Sequence, residues 1–412
     1  MTVEDSLFTN GLYVGVNGYV NYLTVTDSIF EDVKSGINIQ GGGGNLLVEN
    51  SEFSVVAQGA TNDTYGIRFA SSSGAADNMI VSGSIFNVDP NGLTPDSGTY
   101  HSAIVIRAAA TGDLMVGDSF INGEVVNLTA SVPLSASCNW WGDLSGPTNI
   151  GNPGGEGQPI SAGTVNFAPW LVYDTDGNTA TGFQHPTSFT VTPTSDISEA
   201  ENDFTILQNA VGCAVDSQTI DLSGSFDWSA TSSYANAAYL ASYADTDYGD
   251  IRGLEIPEGV DDLTITSALE DAHIIGAGDV DDSGTIIYSS FLFGEDAPGN
   301  ANLTIENLMI EDFESAITLG WNTVGSYNGT MIQNNDIILS GDNSDDSDWL
   351  QNIAFLFWVG SNQTIQNNTV TFQADGLHSG TSTSASFGYQ SGTSGSGYGG
   401  LLIDDNIFQV GD

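Results

Sequence analysis

Basic residues are almost missing: 412 residues carry four Lys and Arg against 52 Asp and Glu, a formal charge of −48. Phosphate recognition needs cations along a face, so nucleic acid is excluded as a partner, and anionic membrane surfaces are disfavoured for the same reason. Internal salt bridges can be few, and screening has to come from salt or from divalent cations that bridge carboxylates. No apolar run reaches the roughly 18 residues that a bilayer crossing requires, so no membrane insertion is expected. The segment after Met1 (TVEDSLFTN) has neither a basic n-region nor an apolar h-region, so any export signal was removed or belongs to a longer polypeptide. Cysteine is scarce as well. Cys138 and Cys213 stand far apart, a buried free thiol is the simplest expectation for each, and spacing alone does not argue a disulfide. The four histidines, His101, His185, His273 and His378, show no metal-ligand spacing.

What is abundant is turn chemistry, with 50 glycines among many Ser, Thr, Asn and Asp, and enough apolar residues for a core at 40%. Self-comparison finds an octet: apolar, any, Val or Ile, any, Asp or Asn, Ser or Asn, any, large apolar. It reads MTVEDSLF from Met1, LTVTDSIF from Leu23, LLVENSEF from Leu46, MIVSGSIF from Met79 and LMVGDSFI from Leu114. It returns as LTIENLMI from Leu303, TMIQNNDI from Thr330, QTIQNNTV from Gln363 and LLIDDNIF from Leu401. Early copies recur every 22 or 23 residues, one coil of a parallel β-solenoid, and later ones are spread by insertions. Strand alternation sends positions one, three and eight inward, where stacking coils bury them in one continuous core. Positions five and six turn the corner, since Asp, Asn and Ser tolerate left-handed backbone and bond their own chain. Asn334, Asn367 and Asn335, Asn368, Asn406 are expected to stack as amide ladders. A β-sandwich of short strands is the competing fold, but it has no reason to repeat a corner dipeptide.

The octets fade in Ser135 to Leu171, SASCNWWGDLSGPTNIGNPGGEGQPISAGTVNFAPWL. NWWGDLSGP, a Gly/Pro-rich stretch and VNFAPWL resemble the terminal coil of surface β-helix proteins of the pectate-lyase-like superfamily. The resemblance implies an all-β, right-handed parallel β-helix whose end this segment closes. Residues 1–172 then form the C-terminal part of a first β-helix, and 173–197 read as a linker carrying Pro186 and Pro193. Residues 198–412 form a capping helix and the N-terminal part of a second β-helix. Its helix is expected in SEAENDFTILQNAVGCAV, where Ser198 and Glu201 make a capping box and Phe204, Leu207 and Val211 an apolar stripe.

The chemistry is sparse. Asp174, Asp176 and Asn178 in D-x-D-G-N, and Asp279, Asp281 and Ser283 in D-V-D-D-S-G, have the alternate-residue spacing of calcium loops without the twelfth-position Glu, so Ca2+ is the metal these residues suggest. Arg68 and Arg107 follow similar strands and could line up as a small anion spot. Neighbouring carboxylates such as Asp261 and Asp262 could serve glycoside hydrolysis, yet with so many acids such pairs arise by composition, and no catalytic residue is assigned. Aromatic insertions, one from Ser225 to Gly249 with Trp228, Tyr234, Tyr239, Tyr243 and Tyr248, and one with Phe387, Tyr389 and Tyr398, could stack on sugars. The expectation is an extracellular or cell-surface structural protein, not an enzyme: a stiff acidic rod, filament, sheath or layer that partners itself head to tail through its first and last coils. A glycan-binding adhesin is the alternative and a polysaccharide lyase or hydrolase the third.

Overall fold

A computed structural model describes the chain except residues 10, 12, 20, 41–43, 71–77, 108–111, 130–131, 194–202, 229–252, 258, 277–289, 296–300, 314, 322–326, 340–352, 358–359, 373–386, 392–399 and 411–412. It forms two compact units, Met1–Pro186 and Thr187–Asp412. Each is a parallel all-β solenoid in which one coil contributes a strand to each of three sheets.

In the first unit the first sheet runs through Thr2–Glu4, Tyr22–Thr26, Asn45–Glu49, Met79–Ser82, Leu114–Gly117, Leu134–Ser135 and Val165–Asn166. The second holds Leu7–Phe8, Ile29–Val33, Glu52–Val56, Ile85–Asp89 and Phe120–Asn122. The third holds Val16–Gly18, Ser35–Gln40, Thr64–Ala70, His101–Ile106, Glu124–Asn127 and Gly157–Ala162, with Pro147–Thr148 at its edge. Octets pair in register whatever the insertion between them: Val3 faces Val25, Val25 faces Val48, Val48 faces Val81 and Val81 faces Val116. Positions one, three and eight are buried in the interior coils, as the alternation requires.

Position eight is an aromatic column. Phe8, Phe30, Phe53 and Phe86 stack ring on ring at 4.7, 4.7 and 4.8 Å with interplanar angles of 4° to 6°. The opposite wall makes room for it with glycine. A Cβ on Gly15 would lie 2.6 Å from the Phe30 ring, one on Gly36 2.6 Å from Phe53, and one on Gly66 2.7 Å from Phe86. Where the column changes to Ile121, the residue that follows Gly66 up the third sheet is Ala103, so a methyl returns where the ring is gone.

The corner does what its residue types allow. Position five has positive φ in every octet: Asp5, Asp27, Asn50, Gly83 and Asp118 in the first unit, and Asn307, Asn334, Asn367 and Asp405 in the second, with Cys138 continuing the row at 54°. Position six is a hydrogen-bond ladder. Ser28, Ser51, Ser84 and Ser119 each accept, through Oγ, the backbone N–H of the serine one coil earlier at 3.1 to 3.3 Å, and donate to a carbonyl two residues back. Asn139 ends the series by accepting from Ser119 N–H at 3.2 Å.

The first unit closes in the tryptophan-rich segment. Trp141 and Trp170 are fully buried, Trp170 Nε1 donates to the Leu144 carbonyl, and Gly146 lies under the Trp170 ring. The stretch expected as a linker is divided between the two units. Tyr173–Pro186 lies on the first as a strap: Phe183 stacks on Phe120 at 4.2 Å, its N–H reaches the Gly83 carbonyl, and His185 Nε2 meets Asp118 Oδ1 at 3.1 Å. Gly182 has φ 81°, and a Cβ there would sit 2.3 Å from the Gly83 oxygen, so only glycine fits. Ser188–Val191 instead opens the first sheet of the second unit. Alternating buried Phe189 and Val191 give it a strand pattern that its flanking prolines obscured.

That sheet continues through Thr219–Leu222, Thr264–Thr266, Thr304–Glu306, Met331–Gln333, Thr364–Gln366 and Leu402–Asp404. A second runs from Ser225–Asp227 through His273–Ile275, Met309–Phe313, Asp336–Leu339 and Thr369–Phe372 to Ile407–Val410, and a third holds Ser290–Glu295, Ser315–Trp321, Ile353–Phe357 and Phe387–Ser391. The helix spans Asp203–Gly212 and buries Phe204, Leu207 and Val211; its expected capping box lies outside the described residues. Asn335, Asn368 and Asn406 form the amide ladder: Asn335 Nδ2 donates to Asn368 Oδ1 at 3.0 Å and Asn368 Nδ2 to Asn406 Oδ1 at 2.9 Å. Asn334 and Asn367 do not join it. They are the exposed left-handed corner residues, so that column serves backbone geometry. Neither cysteine is a free thiol, contrary to the simplest expectation; Cys138 occupies the half-buried corner position five, not a core position.

Two substitution pairs test this packing. Phe30→Leu and Gly15→Ala each cost about 1–3 kcal/mol by urea unfolding, and the double variant costs less than their sum, because the Phe30 ring is what a methyl on Gly15 meets first. Asn368→Ala removes four side-chain hydrogen bonds and costs about 1–3 kcal/mol, whereas Asn367→Gly changes stability by less than about 1 kcal/mol.

Candidate binding cleft

The outer face of the third sheet in the first unit carries a polar column that the octet does not reveal. Asn17, Asn38 and Arg68 stand in register on successive coils. Asn38 Nδ2 donates to Asn17 Oδ1 and Arg68 Nη1 donates to Asn38 Oδ1, both at 2.9 Å. Beside them Lys34, only 3% exposed, places Nζ 2.7 Å from the Tyr13 hydroxyl and 3.9 Å from the centre of that ring. Tyr65 is buried next to Ser35, and burial pushes its phenol above the ordinary value, outweighing the lowering by the Ser35 hydrogen bond and the Arg68 charge. These side chains, with Thr61, Asn62, Asp63 and Thr99, line a cleft of about 550 Å³.

Register explains why the column stops. Arg68 faces Val105, which packs with Tyr65 and Val126 in an apolar patch, so Arg68 and Arg107 do not line up as the similar strands suggested. Arg107 instead pairs with Asp63 at 2.8 Å and lies over the Tyr100 ring. One arginine is thus neutralised by a carboxylate, while Arg68 and Lys34 are held by amide and hydroxyl oxygens.

Other expected site residues fall elsewhere. Asp174, Asp176 and Asn178 lie in the strap, where Asp176 Oδ1 accepts the Gln184 N–H at 2.9 Å and Asn178 Oδ1 the Ala180 N–H at 2.7 Å, so both stabilise turns. Asp279, Asp281 and Ser283 lie outside the described residues. Among the described residues, no three His, Cys, Asp or Glu gather where they could hold a metal ion. Trp228 is not an exposed stacking ring: it is fully buried between Phe204 and Phe313, each at 5.2 Å, and Phe291. The tyrosines of its insertion and Tyr398 lie outside the described residues.

Lys34, Asn17, Asn38 and Tyr13 escaped the sequence reading, though a signal exists. Gly15-Val16-Asn17, Gly36-Ile37-Asn38 and Gly66-Ile67-Arg68 are one tripeptide repeated, with the glycine under the phenylalanine column and the third residue outside. No protein-family model, curated protein or solved structure matches the chain.

The Tyr65 shift has a pH consequence. Its folded-state pKa lies above the unfolded one, so its contribution to stability is complete below the ordinary tyrosine value and is lost as pH rises through the folded value. Chemical unfolding at pH 9 and at pH 11 should show a smaller loss of stability across that interval in Tyr65→Phe than in the parent protein.

Proposed function

We propose that the protein is an extracellular structural element, a stiff acidic rod built as right-handed parallel β-helices and extended by coil-on-coil stacking. The observation that carries this reading is the continuity of ladders along each stack. Backbone register, the aromatic column and the position-six hydrogen bonds all pass from coil to coil, so bending or opening any coil breaks several bonds at once. Such a stack resists local opening because few contacts are independent of their neighbours.

Both edge coils support the stacking part. Thr2–Glu4 and Leu402–Asp404 are outer strands of their sheets; in the last coil the octet's apolar residues are exposed, with Ile403 at 44% and Phe408 at 42%, while in the first coil Met1 is exposed, Phe8 half-buried and Val3 buried. An unpaired edge of this kind accepts another strand. A further coil of the same octet completes either edge, whether it comes from the same polypeptide or from a second copy, and the latter is a heterologous, open contact that propagates. It would set Asp404 and Asp405 against Glu4 and Asp5, so cohesion would need screening, with calcium as the bridging ion. The residues of D-x-D-G-N and of D-V-D-D-S-G remain candidates for holding such ions.

Electron micrographs of the purified chain with calcium are expected to show rods that lengthen with protein concentration and shorten on adding a chelator, and Phe408→Asp should abolish them. Particles of one size at every concentration and calcium level would refute assembly by end stacking.

A further inference from the structure

We propose that the cleft of the first unit binds an anionic oxo group, a carboxylate or a sulfate, carried on a hydroxyl-rich chain such as an acidic saccharide. This is independent of the rod reading, since it concerns one lateral face of the first unit and no coil edge.

The first support is the placement of charge. Four basic residues serve the whole chain, and two of them, Lys34 and Arg68, line the same cleft. In a chain with 52 carboxylates a counter-ion is the easiest partner to supply, yet among the described residues neither forms an ion pair. Lys34 is almost wholly buried against a neutral tyrosine, a placement that leaves a charge without an opposite one. The contrast with Arg107 is informative, because that arginine, one strand away, does have its carboxylate in Asp63.

The second support is unfilled hydrogen-bonding capacity. Asn38 fixes the Arg68 guanidinium through Nη1, and its Nε is buried with no partner. Buried polar atoms are seldom left unpaired, so a guanidinium nitrogen left open on a residue of the cleft wall marks a place for a polar group from outside. A guanidinium held on one side and open on the other suits a two-oxygen anion, with the lysine supplying a second charge. Around them Asn17, Asn62 and Thr61 offer amides and a hydroxyl to a polyol, and Tyr13, 63% exposed, offers a ring face.

The test uses the full chain in calorimetric titrations with oligosaccharides of one length, carboxylated, sulfated or neutral, alongside sedimentation. An anionic oligomer is expected to bind and the neutral one not, and the stronger of the two anionic arms identifies the group. Arg68→Gln and Asn38→Asp, which places a carboxylate beside the guanidinium, should each weaken binding by about tenfold or more, whereas His273→Gln, in the second unit, should leave it within about twofold. Unfolding midpoints confirm that each variant is folded. The inference is overturned if all three oligomers bind equally or none binds, or if Arg68→Gln and Asn38→Asp bind like the parent. It is also overturned if sedimentation shows that the Arg68-dependent event is association with a second copy's acidic surface.

Discussion

Every coil must carry at each position a side chain that tolerates a near-copy of itself about 4.8 Å above and below. That requirement selects residue types more strictly than burial does. Phenylalanine satisfies it by stacking ring on ring, provided the facing wall retreats to glycine. Serine and asparagine satisfy it because each is donor and acceptor at once, so a column of identical residues satisfies itself. A column of buried lysines or glutamates could not, since it would place like charges at the coil spacing in a medium that screens them poorly.

The same rule shapes the surface. Outward positions also stack, and in a chain of −48 many of their neighbours are acidic. On the first sheet of the second unit the outward column passes from Glu306 to Gln333, Gln366 and Asp404. The two glutamines separate the acids and turn part of the column into a chain of bonds: Gln333 Nε2 donates to Glu306 Oε2 at 2.6 Å and Gln366 Nε2 to Gln333 Oε1 at 2.7 Å. Amides so placed do locally what salt must do for the molecule as a whole.

Legibility in the sequence followed from how regular each column is. The octet exposed two sheets and the corner between them, because Val25 and Val48, Asp27 and Asn50, and Phe30 and Phe53 recur in strict alternation with a turn residue at fixed offset. The third sheet was hidden because alternation fails in it. Gly66 faces the Phe86 ring, Ile67 is fully buried, and only Arg68 returns to the outside, so two successive residues point inward and a period of two is never seen. Pairing there also shifts between Ser102 and Ile104. The cleft inherits this concealment, since Lys34, Asn38 and Arg68 occupy positions whose sidedness depends on the break. Asn334 illustrates the opposite failure: repetition was read as a ladder, but at position five it reports left-handed backbone, and the side chain faces solvent.

Regularity and chemistry therefore exclude one another along this chain. A column that repeats satisfies its own hydrogen bonds, which leaves nothing to offer a ligand. Unspent capacity collects where a column ends or changes type: Asn17 and Asn38 give way to Arg68 and then to Val105, and the Arg68 Nε is left buried without a bond. The strap follows the same logic, because it settles where position five changes to Gly83 and the ring column ends, with Phe183 against Phe120 and Gly182 against Gly83. In a solenoid held by self-complementary rows, an interruption has bonds to give, and the cleft is the interruption, among the described residues, that also gathers two cations.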